Sequence, residues 1–267
     1  MNVNLPSLAR AQGIRRKRIV LRPVQPTLGD ERELLGIYGD TVRVWLDGIP
    51  RIIAEYNTSP LTTDADGAQL QWLIDQVERQ ADNTILYQTE RLGRWVSKVG
   101  TRNMGKTISG VKSATGVDIA PYIRLRDVQP YLEQSIRQNV ALISNVNADT
   151  KRRVEEAVYE ALANRRSKKW LTDRIAKEMG ITKRRARIIA GDQTHKLNAA
   201  LNQYRNEQLG IEAYIWRTRR DDRVREAHRV REGKTFLWSD PPEDGHPGHP
   251  IACRCSAAAI LDVGENG

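Results

Sequence analysis

Apolar residues recur at helical spacing along most of the chain. From Asp30 to Tyr56, Leu34, Leu35, Tyr38, Val42, Trp45, Leu46 and Ile49 form one stripe, which Pro50 is expected to kink or break. Asn57-Thr58-Ser59-Pro60 reads as a loop, with Asp64 or Asp66 as the cap of the next helix. That helix, from about Ala68 to Val99, carries Leu70, Leu73, Ile74, Val77, Ile85 and Leu92. Residues 100–117 hold four glycines with Lys, Thr and Ser, and read as a flexible connection. Gly105-Lys106-Thr107 matches the end of a phosphate-binding loop, but the strand–loop–helix context that gives that motif its mechanism is missing. A short strand or turn is predicted over 117–123. Helices follow over 128–145, from Asp149 or Thr150 to about Ala163, over 171–179, and over 183–208.

The period then changes. Residues 211–218 alternate as a strand does, and 234–238 and 257–263 read as two further strands. A short helix opens near Asp221-Asp222 and places His228 close to its end. Pro241, Pro242, Gly245, Pro247, Gly248 and Pro250 impose an irregular loop. The predicted fold is mainly α: an elongated helical body with a small α+β C-terminal subdomain. Its expected parts are a basic flexible arm (1–29), an N-terminal helical region (30–126), a helical middle (127–208) and the C-terminal subdomain (209–267).

Composition narrows the function classes. The chain has 267 residues, a net charge of +10 and a mean hydropathy of −0.58. No apolar run approaches the roughly 18 residues of a membrane span, so no membrane partner is expected. No apolar segment follows Arg15-Arg16-Lys17-Arg18, which argues against a secretory signal. Two cysteines one residue apart are poor disulfide partners, and a reducing, intracellular setting is the simpler reading. The positive charge is localised: residues 1–30 carry a net +5 and residues 151–190 a net +8. Localised excess of this kind suits a polyanion, although a solvated basic face is the commoner meaning of a charge run. Candidate DNA contacts are Arg15, Arg16, Lys17 and Arg18 in the arm, and Lys168, Lys169, Lys183, Arg184, Arg185 and Arg187 in the second block. The segment from Leu171 to Ala190 fits a helix-turn-helix pattern with Gly180 at the turn. An ordinary pair of antiparallel helices fits it as well.

Metal-capable side chains concentrate between Tyr214 and Cys255. His228, His246, His249, Cys253 and Cys255 offer enough nitrogen and sulfur for one tetrahedral zinc that would fasten a loop poor in apolar residues. A metal-free, hydrogen-bonded loop is the equal alternative. Catalysis stands well behind, because no carboxylate–histidine pair is spaced to set a general base beside a metal.

The same stretch resembles the Mu F-like minor head proteins of tailed phages, the phage head morphogenesis family. The residues that carry the likeness are Trp216-Arg217-Thr218, Asp222 with Arg223-Val224-Arg225 and His228, Gly233-Lys234, Asp240-Pro241-Pro242 and Cys253-Arg254-Cys255. Upstream, Asn139 to Ile143, Arg185-Ala186, Asp192-Gln193-Thr194 with Lys196, and Gly210-Ile211 agree with it. The likeness runs from about Asp127 to Val263. Asn164-Arg165 stands where similar proteins often have a glycine, and Gly191 where they often have an arginine, so no role of that arginine carries over. The resemblance implies a virion component without enzymatic activity, inside the head at the portal vertex and in the host cytoplasm during assembly. It implies contacts with the portal protein and the major capsid or scaffolding protein, non-specific binding of double-stranded DNA, and action in head morphogenesis and DNA packaging or delivery. The readings set against it are a helix-turn-helix regulator and, further back, a metal-dependent nuclease.

Overall fold

The computed structural model describes residues 3–58 and 64–264, with only the helical backbone described at 57, 58 and 64–66. The expected loop residues Ser59 and Pro60, and any cap by Asp64 or Asp66, lie outside the described residues or side chains. The helices are α1 (Leu5–Ala11), α2 (Leu28–Thr58), α3 (Asp64–Thr115), α4 (Gln129–Ala163), α5 (Lys168–Gln208) and α6 (Glu226–Arg229). The strands are β1 (Arg18–Val20), β2 (Ala213–Arg217), β3 (Thr235–Leu237) and β4 (Ser256–Asp262). The described residues are 68% helical, so the mainly α class with a small C-terminal α+β part is the fold observed. No helix of the described residues is long and apolar enough to cross a membrane.

Four places expected to interrupt helices do not. Pro50 lies inside α2; it deletes one backbone bond, a change worth ~3 kcal/mol in an isolated helix. Packing outweighs it: Leu34, Tyr38, Val42, Trp45, Ile49, Ile52 and Tyr56 are all buried at steps of three and four. The glycine-rich residues 100–115 are the last turns of α3 rather than a flexible connection. Val111 is buried there, and a Cβ at Gly100 would come within 2.9 Å of Leu125 Cδ1. The helix stops only at Gly116, whose φ of +70° places it in the left-handed region and whose N–H bonds the Lys112 carbonyl. Asn147, Asp149 and Thr150, read as a break, sit within α4. Asn147 accepts a 2.6 Å hydrogen bond from Trp45 Nε1 and donates one to Asp82. Gly180 is helical within α5, with buried Ile175, Met179, Thr182, Ala186 and Ala190 running past it on one face. The helix-turn-helix corner therefore does not exist, and the regulator reading that needed it falls.

The N-terminal segment is not a flexible arm. Asn4 caps α1 through Ser7 N, and Leu5 and Ala9 are fully buried. β1 pairs antiparallel with β4, Ile19 opposite Leu261, while Arg15, Arg16, Lys17 and Arg18 stay exposed beside it. The chain divides into two compact units, neither contiguous in sequence. One comprises 32–93 and 136–190, and the other 1–31, 94–135 and 191–267. The first is helical throughout. Its buried side chains are the α2 stripe with Leu70, Ile74, Val77 and Leu92 of α3, Val154 and Val158 of α4, and Leu171 and Ile175 of α5.

The second unit holds an antiparallel sheet in the order β1-β4-β2-β3. Tyr214 pairs with Ala259 and Trp216 with Ala257. The first six residues of β4 are buried, so the strand is covered on both faces. One face packs on α1, Val111, Val117, Ile119 and Ile123. Farther along, Tyr214 and Trp216 join Trp238, Cys253 and Cys255 in a separate aromatic cluster. The small residues Ala257, Ala258 and Ala259 leave room for these rings and for the helices.

Candidate functional site

The aromatic cluster and the loop that follows β3 form the site. His228, on α6, is 2% exposed. Its Nε2 lies 2.8 Å from Asp244 Oδ2, and Asp244 also accepts from Arg231. Burial alone would raise the Asp244 carboxyl, but hydrogen bonds from His228 and Arg231 outweigh it and hold it below the ordinary range. An ionised Asp244 is acceptor-only, so Nε2 carries a proton. Nδ1 faces both cysteines, at 3.5 Å from Cys253 Sγ and 3.6 Å from Cys255 Sγ. A hydrogen bond from the Cys255 thiol holds Cys253 down, at about 6. Cys255, keeping its proton in that bond and buried, is raised. Arg231 stacks over the Trp216 ring at 5.0 Å, and the edge of that ring meets His228.

Three further contacts fix the segment that carries the cysteines. Asp192 on α5 accepts a 2.6 Å hydrogen bond from Ala252 N and pairs with Lys196 at 2.8 Å. Ala252 itself has φ +55°, which this clamp over-determines. Gly248 N–H donates to Cys253 Sγ at 3.4 Å. Gly248 has φ +92°, and a Cβ there would lie 2.8 Å from Ala199 Cβ on α5. Gly248→Ala is therefore expected to cost about 2 kcal/mol, from backbone strain and overpacking together. A shift in urea midpoint at constant m-value measures it. A loss below about 0.5 kcal/mol, the range of an ordinary surface substitution, would show that the loop relaxes freely there.

Of the five residues expected as ligands, the structure brings His228, Cys253 and Cys255 together, all buried, with ligand atoms within 4.8 Å of one another. His246 and His249 are not in this group. His246 Nδ1 is 3.0 Å from Tyr214 Oη and its ring packs on Trp238. His249 meets His246 edge to face, and burial lowers both histidines' pKa values. Sequence reasoning misses Asp244 and Arg231, because an acid before a turn glycine gives no sign of a histidine partner on a distant helix. His195, the fourth histidine, pairs with Glu31 at 3.2 Å, away from the cysteines in sequence and unmarked by any motif.

The expected DNA contacts fall into two sets, one in each compact unit. Lys168, Lys169, Lys183, Arg184 and Arg187 are exposed on α5. Lys169 pairs with Asp173 and Arg185 with Asp149, which reduces the free charge of that face. Arg18 donates to Thr235 in the sheet.

Residues 152–258 match the family profile described as "Phage Mu protein F like protein". An "Uncharacterized protein" of Haemophilus influenzae (strain Rd) is 30% identical over 275 aligned residues, 99% of this chain and 60% of that protein. The chain thus spans about three fifths of the length of that relative. No solved structure matches. The matched segment contains β2, β3, α6, all three clustered ligands and Asp192, so the motifs between Trp216 and Cys255 and the geometry they build fall within one family region. Residues 152–258 are thus similar to the Mu F-like family of phage proteins.

Proposed function

We propose that the chain is a minor head protein of a tailed, double-stranded DNA phage. It acts inside the head at the portal vertex, in head morphogenesis and in DNA packaging or delivery. Its partners are the portal protein, the major capsid or scaffolding protein, and DNA bound without sequence preference. The observation that carries this reading is the Mu F-like match over residues 152–258. The exposed basic side chains support the DNA contact. Lys183, Arg184 and Arg187 cluster within a short stretch of α5, where they suit phosphates rather than base edges. Such binding weakens steeply with salt. The proposed role is structural: the helices supply protein contacts.

Mass spectrometry of purified particles, with stoichiometry against the portal protein, tests this. The expected result is peptides of this chain at a few copies per particle. Absence from both mature particles and immature heads sinks the proposal.

A further inference from the structure

We propose that His228, Cys253 and Cys255 bind one zinc ion, which fastens α6 to the start of β4. The inference rests on the local geometry alone and stands or falls independently of the head-protein reading.

The spacing of the donors fits a metal. In a tetrahedral site with bonds of about 2.3 Å to sulfur and about 2.05 Å to nitrogen, each sulfur–nitrogen edge is about 3.6 Å. The two observed edges are 3.5 Å and 3.6 Å. Two sulfurs converge on Nδ1 at nearly equal distance. The surroundings have the form that supports a metal-bound imidazole and thiolate. Asp244 takes the far N–H of His228, fixing the tautomer and ring plane. The Gly248 amide donates to Cys253 Sγ. A cavity of about 20 Å³ opens among the three ligands, with Arg219, Arg223, Arg225 and Arg254 at its wall. That is room for one small ion or one water.

Three protein ligands leave a fourth position facing this cavity, which a water fills. Asp244 is committed to the opposite edge of His228 and to Arg231, so it cannot serve as a base at that position. The ion's role is mechanical. Between β3 and β4 the chain runs through the irregular residues 238–255, in which Trp238, His246 and the two cysteines are among the few buried side chains. One ion cross-links that run to α6 and to the cluster around Trp216, and so supplies order that apolar burial cannot.

The test uses the full chain purified without chelator. Elemental analysis is expected to find one zinc per chain. After exchange into Co²⁺, the absorption spectrum is expected to show tetrahedral d–d bands and thiolate-to-metal charge transfer. Prolonged chelation should lower Tm by roughly 5–10 °C. Cys253→Ser and His228→Ala should each lose the ion, while His249→Ala should keep it, since that ring is outside the group. Less than a tenth of an equivalent of zinc, with both thiols titrating freely in the folded protein and no cobalt spectrum, overturns the proposal. So does stoichiometric zinc that survives in the folded Cys253→Ser protein, which would put the ion elsewhere. Because the wild-type metal content and spectrum need no variant, misfolding of a substituted chain does not blunt the test.

Discussion

Replacing Trp45 by alanine is expected to destabilise the protein by about 4 kcal/mol. Trp45 is fully buried in the all-helical unit, midway along the α2 stripe. The substitution removes a large ring from a packed core and leaves a void that neighbouring helices fill only in part. It also strands a polar atom. Trp45 Nε1 donates to Asn147 Oδ1 at 2.6 Å, while the Asn147 amide bonds Asp82 Oδ1 at 2.8 Å. Asn147 is 1% exposed, so losing Trp45 leaves its carbonyl oxygen buried without that donor. Trp45→Phe separates the two effects. It keeps most of the ring and removes the N–H, and about 1–2 kcal/mol is expected. Denaturant titration of the three proteins, with the helical signal as reporter, measures both. A Trp45→Ala loss only about half as large as expected, roughly 2 kcal/mol or less, would mean that the helices close over the void and that the Asn147 contact contributes little.

The same contact explains why the helix ends are harder to read than the helices. The apolar stripes of α2, α3 and α5 are legible because their periodicity is set by which side chains must leave water. Residues such as Leu34, Leu70 and Ile175 are buried where their spacing places them. The breaks are misread because Asn147, Thr150, Gly180 and the glycines after 100 carry a local preference for turns worth about 1 kcal/mol or less per residue. Tertiary partners exceed it: Asn147 has its Trp and Asp partners, and Thr150 Oγ1 bonds the Val146 carbonyl within the same helix. The N-terminal arm is misread for a related reason. Its ordering depends on pairing with a strand near the opposite end of the chain, Arg18 against Asp262, which no local pattern announces.

At the site, residue types are legible in the sequence and roles are not. Two cysteines and three histidines in one stretch mark the place. Which histidine faces the sulfurs depends on α6 and on Asp244, and hence on backbone geometry rather than spacing. His249 precedes Cys253 within the same loop and is outside the group, whereas His228 lies on α6, before β3, and is within it. Asp192 shows the reverse case. In sequence it stands only as part of a family-like string, and in the structure it holds Ala252 in its positive-φ conformation beside the first cysteine.

Asp30→Ala is expected to cost about 4 kcal/mol, because one buried carboxylate closes three separate demands at the start of α2. Asp30 is 1% exposed. Its Oδ2 accepts from the Thr27 amide and from the Thr27 hydroxyl, each at 2.8 Å, while its own N–H bonds Thr27 Oγ1 at 3.2 Å. Together these make a capping box with aspartate in the place usually held by glutamate. Its other oxygen pairs with Arg102 of α3. Loss of the cap alone is worth about 1 kcal/mol. The larger part comes from Arg102, whose charge is left two-thirds buried without its partner. Asp30→Asn distinguishes the contributions: an amide oxygen still caps the helix, but the ion pair is gone, and about 2 kcal/mol is expected. The double variant Asp30→Ala, Arg102→Met removes both charges and should recover much of the loss, since the unpaired guanidinium is then absent as well. If the double variant is no more stable than Asp30→Ala, the stranded charge is not the cause, and the cost lies in the cap and in the packing of Trp95, whose Nε1 bonds the Asp30 carbonyl.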